Sequence, residues 1–260
     1  MTTRFVRVTL AVAWRHLHNF LTNPSLLLPP LLLPIFLFAA FAGSLSALAH
    51  TPGFQYPDYG GFQFVFVLIQ SAAFGGVFTG YSMAEDFESG FGRRMMLAAP
   101  NRTAIVAGYA VAALARTLFT SALVFGIAVV GGTEVRGGVA DLLALLGLAV
   151  LANIAATLFT AGIALRYRTV QASPLMQVPM FMVLFLAPVF VPRRLLTGWL
   201  HDVAGLNPVT VVLEAGRGLF IGHPVRVPLA FGLISGIGVL LAIWALRGLR
   251  RAEAAADALR

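Results

Sequence analysis

Apolar and polar positions alternate along this chain on the scale of a membrane rather than of one helix face. Six apolar runs, about Ser25 to Leu48, Phe62 to Met83, Thr103 to Val130, Asp141 to Leu165, Val170 to Val191 and Val227 to Leu246, are separated by segments that hold most of the charge. Each run is close to the roughly 20 residues that a helix needs to cross a bilayer. The pattern therefore predicts an all-α, polytopic membrane protein of six transmembrane helices. Pro29, Pro30 and Pro34 in the first run, and Pro174, Pro179 and Pro188 in the fifth, should kink or loosen those helices. Gly75, Gly76 and Gly80 give the second run a strip of small residues where another helix can approach closely. In the fourth run Asn153 and Thr157 lie four apart, on one face, placed to hydrogen-bond across helices.

Two segments fall outside this alternation. Residues 1–23 read as an amphipathic interfacial helix, with Arg4, Arg7, Arg15 and His18 roughly on one face and Phe5, Val8, Val12, Leu17, Phe20 and Leu21 mostly elsewhere. The alternative is a frayed tail. The apolar piece Val8 to Trp14 is too short for a signal peptide and no small-x-small cleavage site follows it. Residues 192–226 are neither plainly soluble nor a full span. Two short half-apolar pieces flank Gly205-Leu206-Asn207-Pro208, and the second carries Glu214 and Arg217. Either this is a re-entrant or interfacial helical hairpin, covered by protein where its backbone is irregular, or it is a surface loop with one amphipathic helix. The membrane-spanning body is then 24–251, with a short Ala-rich tail at 252–260.

Composition agrees with the pattern. Hydrophobic residues make up 59% and charged residues 11%, against about 25% charged in soluble domains. The formal charge of +8 does not indicate nucleic acid, because the arginines sit at the ends of apolar runs rather than in a patch interleaved with aromatics. With both termini inside, the inner segments hold twelve arginines (Arg4, Arg7, Arg15, Arg93, Arg94, Arg102, Arg166, Arg168, Arg247, Arg250, Arg251, Arg260) and the outer ones five (Arg136, Arg193, Arg194, Arg217, Arg226). That asymmetry favours cytoplasmic termini in a cell inner or plasma membrane. Arg116 falls inside the third run, where a cation is costly and should face protein or water.

The densest charge lies between the second and third runs. Glu85, Asp86 and Glu88 are followed by Gly90, Arg93, Arg94, Pro100 and Arg102. Acids before bases suit the dipole of a short helix, about 85–99, which Pro100 would end. It is either a solvated connection or a docking helix that receives force from a soluble partner. The chain itself has no engine. It has no lysine, hence no G-x-x-x-x-G-K-[ST] loop, and no cysteine. His16, His18, His50, His201 and His223 show no metal-ligand spacing, and no G-x-S-x-G elbow occurs. Spans one, two, five and six are nearly free of ionisable groups, which argues against an ion-coupled carrier.

These features resemble the membrane subunits of type-2 ABC exporters, the daunorubicin-resistance class of permeases. Their cytoplasmic pattern after span two is matched here by Asp86, Gly90, Arg93, Arg94, Pro100, Arg102 and Gly108, and the segment before the last span by Asn207-Pro208 and Glu214-Ala215-Gly216-Arg217. The resemblance covers nearly the whole chain, although Ala98-Ala99 stands where polar or bulkier residues are common. It implies a coupling helix, with Glu85, Asp86, Glu88, Gly90, Arg93, Arg94, Pro100 and Arg102 facing a separate ATPase. It also implies two permease and two ATPase subunits, ATP and Mg in the partner alone, and export of a drug, lipid or glycan-like amphipath. On that footing Gly75, Gly76, Gly80, Arg116, Asn153, Asn207, Glu214 and Arg217 are candidates for the pathway or an interface. A non-transporting scaffold or immunity protein is the alternative; an intramembrane enzyme would need a catalytic cluster that the spans lack.

Overall fold

The computed structural model describes residues 2–98 and 101–257, with side chains described for 3–98 and 101–250. Ten α-helices form it: α1 (Thr2–Thr22), α2 (Pro24–Ser44), α3 (Tyr59–Glu88), α4 (Phe91–Ala98), α5 (Thr103–Val130), α6 (Val139–Tyr167), α7 (Ser173–Phe185), α8 (Trp199–Leu206), α9 (Pro208–Phe220) and α10 (Val227–Asp257). No strand occurs among the described residues. α2, α3, α5, α6 and α10 are long and apolar enough to cross a membrane, and the shorter apolar stretch Val170–Phe185 joins them.

α3 is the axis of the molecule. It packs against α2, α5, α6, α7 and α9, and most of its length is buried. Its start is set by Asp58, whose carboxylate accepts from Gly61 N at 2.6 Å and satisfies an N-terminal amide. The seam with α6 is built on small residues. A side chain at Gly76 would meet Ala156 Cβ and Thr157 N at 2.6 Å, and Gly80 lies against Thr160 and Met176. That close approach lets Asn153 Nδ2 donate to Ala72 O at 2.8 Å and Thr160 Oγ1 to Gly76 O at 2.9 Å. α10 covers the far side of α6, with Trp244 Nε1 donating to Phe159 O at 3.2 Å and Arg166 stacked on the Trp244 ring at 3.4 Å.

Three boundaries differ from the sequence reading. Glu85–Glu88 do not begin a loop; they are the last turn of α3, since nothing breaks the helix before Gly90, which takes φ +77°. α10 runs on through Asp257, so a separate tail from residue 252 is not seen there. The run Val170 to Val191 is helical only over Ser173–Phe185, after a 3₁₀ turn at Val170–Ala172. Pro188 has no N–H and disfavours helix in the residue before it, so the helix stops short. The segment nonetheless follows α3 along its whole length. Val170 N meets Glu88 at one end, Phe181 and Phe185 pack on Phe74 and Phe66, and Phe190 O accepts from Tyr59 OH at the other.

α1 runs alongside the first half of α5: Thr9 Oγ1 donates to Ala104 O at 3.2 Å, and Gly108 admits Val12. Apolar side chains of α1, α2, α7 and α10 are left facing outward, among them Trp14, Phe36, Met182 and Leu240. Such continuous apolar surface is what lipid or another membrane subunit covers.

Candidate functional site

At the Glu88 end of α3, four elements meet around one carboxylate. Asp86 is buried and receives Arg15 Nη1 and Nη2 at 2.8 and 2.7 Å, Tyr109 OH at 2.5 Å, and His16 Nε2 at 3.3 Å. The forked guanidinium matches both carboxylate oxygens. The same contact holds Arg15 charged more firmly than an isolated arginine, its pKa raised chiefly by the Asp86 hydrogen bond. Arg15 also lies over the Phe91 ring, 4.0 Å from its centre. One side chain thus joins α1 to both α3 and α4.

α4 leaves α3 through Ser89-Gly90. Gly92 has to be small, because a Cβ there would meet Phe87 side-chain carbons at 2.9 Å. Met96 is buried beneath the helix, and Arg102 Nε donates to Met96 O at 3.3 Å. Glu88 reaches sideways to the turn between α6 and α7, accepting from Val170 N at 2.6 Å and Thr169 Oγ1 at 3.3 Å. α4 is therefore braced from α1 and α3, and the last turn of α3 is tied in turn to the α6–α7 turn. Glu85, Arg93 and Arg94 face solvent.

The predicted coupling residues so divide into two groups. Glu85, Arg93 and Arg94 lie outward. Asp86, expected at a docking surface, is turned inward because only there do three donors offset its burial; Glu88 and Arg102 make internal ties as well. Gly90 supplies the bend. Pro100 lies outside the described residues. Tyr109 and His16 were missed: they stand 23 and 70 positions from Asp86 in the chain, and no local pattern links them.

The second group of candidates is scattered. Gly76 and Gly80 do not line a path; the α6 backbone and side chains fill the space beside them. Gly75 faces Asn153 and Thr117. Thr157 lies on the Asn153 face, as expected, but its hydroxyl has no partner among the described residues, and Thr160 makes the cross-helix bond instead. Asn207 caps α9, accepting from Val209 N at 2.9 Å, and donates to Val183 O at 2.6 Å, tying the α8–α9 corner to the end of α7. Glu214 pairs with Arg226 at 3.4 Å.

Arg217, expected on a pathway or an interface, lies inside the bundle. It is 1% exposed and serves the broken end of α7. Its guanidinium donates to Pro188 O at 2.8 Å, Val189 O at 3.4 Å and Phe62 O at 3.1 Å, with the Phe62 ring 3.4 Å below. Carbonyls left open where the helix stops need donors if no water reaches them. The five-donor fork of arginine supplies them from one side chain.

Comparison with known proteins agrees with this architecture. Probable doxorubicin resistance ABC transporter permease proteins DrrC of Mycobacterium tuberculosis, from strains CDC 1551 / Oshkosh and ATCC 25618 / H37Rv, are each 25% identical over 189 residues, 72% of this chain and 68% of theirs. The family profile described as ABC-2 type transporter matches residues 7–221, which cover α2 to α9 and most of α1. The chain therefore belongs to the ABC-2 type transporter family, as a multi-pass membrane subunit of an ABC transporter.

Proposed function

We propose that this chain is the permease of an ATP-driven exporter and that α4 is where a separate ATPase delivers force. The observation that carries the reading is the bracing of the α3–α4 corner: Glu85 is exposed on the last turn of α3 and Arg93 and Arg94 on α4, α4 is fixed to α1 by Arg15 over Phe91, and the end of α3 is fixed to α1, α5 and the α6–α7 turn through Asp86 and Glu88. A helix held at several points moves its neighbours when pushed, whereas a free loop absorbs displacement. On this reading α4, both termini and the α6–α7 turn are cytoplasmic, which the arginine asymmetry supports.

Two permeases pair through outward apolar faces, and two ATPase subunits, holding ATP and Mg, bind below. The segment 170–190 is a sixth, broken crossing, and α8–α9 is a re-entrant hairpin. The register of α9 along α3 supports the hairpin. Phe220 packs by Gly61, Gly216 by Val65, and Val212 and Val209 share a cavity wall with Ile69 and Ala73. At 1.5 Å per residue the Asn207–Pro208 corner lies about 12–18 Å inward from Gly61, roughly the middle of the bilayer. The relatives named for doxorubicin resistance favour a hydrophobic or amphipathic cargo.

The test is co-purification with candidate P-loop ATPases. Replacing Glu85, Arg93 and Arg94 together by Ala should weaken ATPase binding at least tenfold and abolish export, with the melting temperature of the permease unchanged. Full binding and export by that variant would refute the docking role of α4.

A further inference from the structure

Arg116 is the cation that this fold leaves unanswered. It stands two helical turns along α5 from Tyr109, about 10 Å deeper than the Asp86 cluster. Its one hydrogen bond among the described residues runs from Nη2 to Thr79 Oγ1 at 2.5 Å. Its Nε is buried without a partner, and the Phe20 ring lies 5.6 Å away. No described carboxylate pairs with it. Arg217, the other guanidinium inside the bundle, has three carbonyls; Arg116 has one hydroxyl. A guanidinium in hydrocarbon with so little compensation is expensive unless a ligand supplies the counter-charge.

The surroundings are shaped for one. A crevice opens beside Arg116 between the end of α1 (Phe20), α2 (Pro30, Pro34), α3 (Gln70, Gly75) and α5 (Thr117). Its free volume is about 30 Å³, more than the roughly 10–15 Å³ that one water needs. Thr117 Oγ1 is buried and also lacks a partner, so a hydroxyl donor stands ready beside the cation; Gln70 Oε1, likewise buried and unpartnered, is an acceptor and offers an anion no hydrogen bond. The remaining wall is α2, whose outer side is exposed apolar surface (Leu32, Phe36). An acyl chain could lie there while its charged end enters the crevice.

We propose that the Arg116 crevice binds the anionic headgroup, phosphate or carboxylate, of a single-charged amphipath in the leaflet on the α4 side. Arg116 pairs with the anion, and the Thr117 hydroxyl donates a further hydrogen bond to it. The placement suits anionic headgroups of the cytoplasmic leaflet, on the orientation proposed above. Binding itself requires no ATPase, so the test stands apart from the docking reading.

The full-length chain in neutral detergent is titrated with dihexanoyl phosphatidylglycerol, dihexanoyl phosphatidylcholine and inorganic phosphate. Wild type should prefer phosphatidylglycerol to both others by at least tenfold. Arg116→Gln, which retains a donor for Thr79, should lose that preference, and Arg116→Lys should keep most of it. Should Arg116→Gln fail to fold, Thr117→Val serves instead, with a severalfold loss of preference. Absence of a headgroup preference in wild type, or an undiminished one in Arg116→Gln, overturns the proposal. The source of the anion is read from protein extracted from native membranes. One phospholipid retained per chain through dilution assigns the crevice to a resident lipid. Displacement of bound lipid by dodecyl phosphate assigns it to a mobile amphipath of the kind an exporter carries. Either result supports the site; neither occurring in wild type would remove it.

Discussion

Asp86 and Arg217 are both buried charges, and they are stabilised in opposite ways. Asp86 is answered by a fork, a phenol and an imidazole, Arg217 by carbonyls of broken backbone. For Asp86 the consequence can be measured. Asp86→Asn keeps the shape but offers one acceptor oxygen and turns an amine toward Arg15. Arg15 is 36% exposed and partly hydrated, which reduces the cost of losing its partner, while Tyr109 and His16 remain buried beside the site. The expected destabilisation is about 2 kcal/mol, read as a fall of several degrees in the melting temperature of the purified chain. A double-mutant cycle with Arg15→Gln should give a coupling of about 1–2 kcal/mol. Glu85→Gln, one residue away but exposed, should change stability by less than about 0.5 kcal/mol. Equal effects of the two acid-to-amide changes would show that the inward network is not what holds α1 to α3.

Between helices, shape rather than charge decides, and α3 against α6 is the clearest case. Gly76 has the Ala156 methyl and the Thr157 amide against it, so even Ala forces the backbones apart and breaks the Thr160 to Gly76 bond. Gly76→Leu should lower stability by about 3 kcal/mol or more, or prevent recovery of folded protein. Gly43→Ala, with nothing within 4 Å of the added carbon, should be neutral or slightly stabilising within a helix. Thermal unfolding of the two variants side by side distinguishes packing from helix propensity. The glycine strip was legible in the sequence; its partner was not, because a strip of small residues states that something approaches without saying what. The spans were legible for the same reason that a membrane needs them: length and apolarity are written locally. The fifth run was read too simply. Three prolines predicted a disturbed helix, but the answering Arg217 lies 29 residues beyond Pro188, and only folding brings the two together. Asp86 was misjudged on equally physical grounds: a carboxylate in a charge cluster looks solvated until the fold supplies three donors from other helices.

For the molecule as a whole, orientation and the depth of the α8–α9 corner can be decided by one set of experiments, because the chain contains no cysteine and each introduced thiol is unambiguous. Arg93→Cys on α4 and Thr133→Cys in the α5–α6 connection lie at opposite ends of the bundle, near Glu88 and Gly60 respectively. In intact cells a membrane-impermeant maleimide should label Thr133→Cys and leave Arg93→Cys unlabelled until the membrane is opened. Leu206→Cys is the sharper probe. Leu206 is 88% exposed in the isolated chain, so an ordinary outer loop would present it to the reagent as readily as Thr133. The register of α9 along α3 puts the nearby Pro208 beside Ile69 and Ala73; on the re-entrant arrangement proposed above, that level is near mid-bilayer. On that arrangement Leu206 would face lipid or a second permease, and its thiol should stay unlabelled from either side while reacting with a membrane-permeant maleimide. Labelling of Leu206→Cys from outside at the rate of Thr133→Cys would make α8–α9 a surface hairpin. The apolar face that the corner presents would then need a covering other than the membrane.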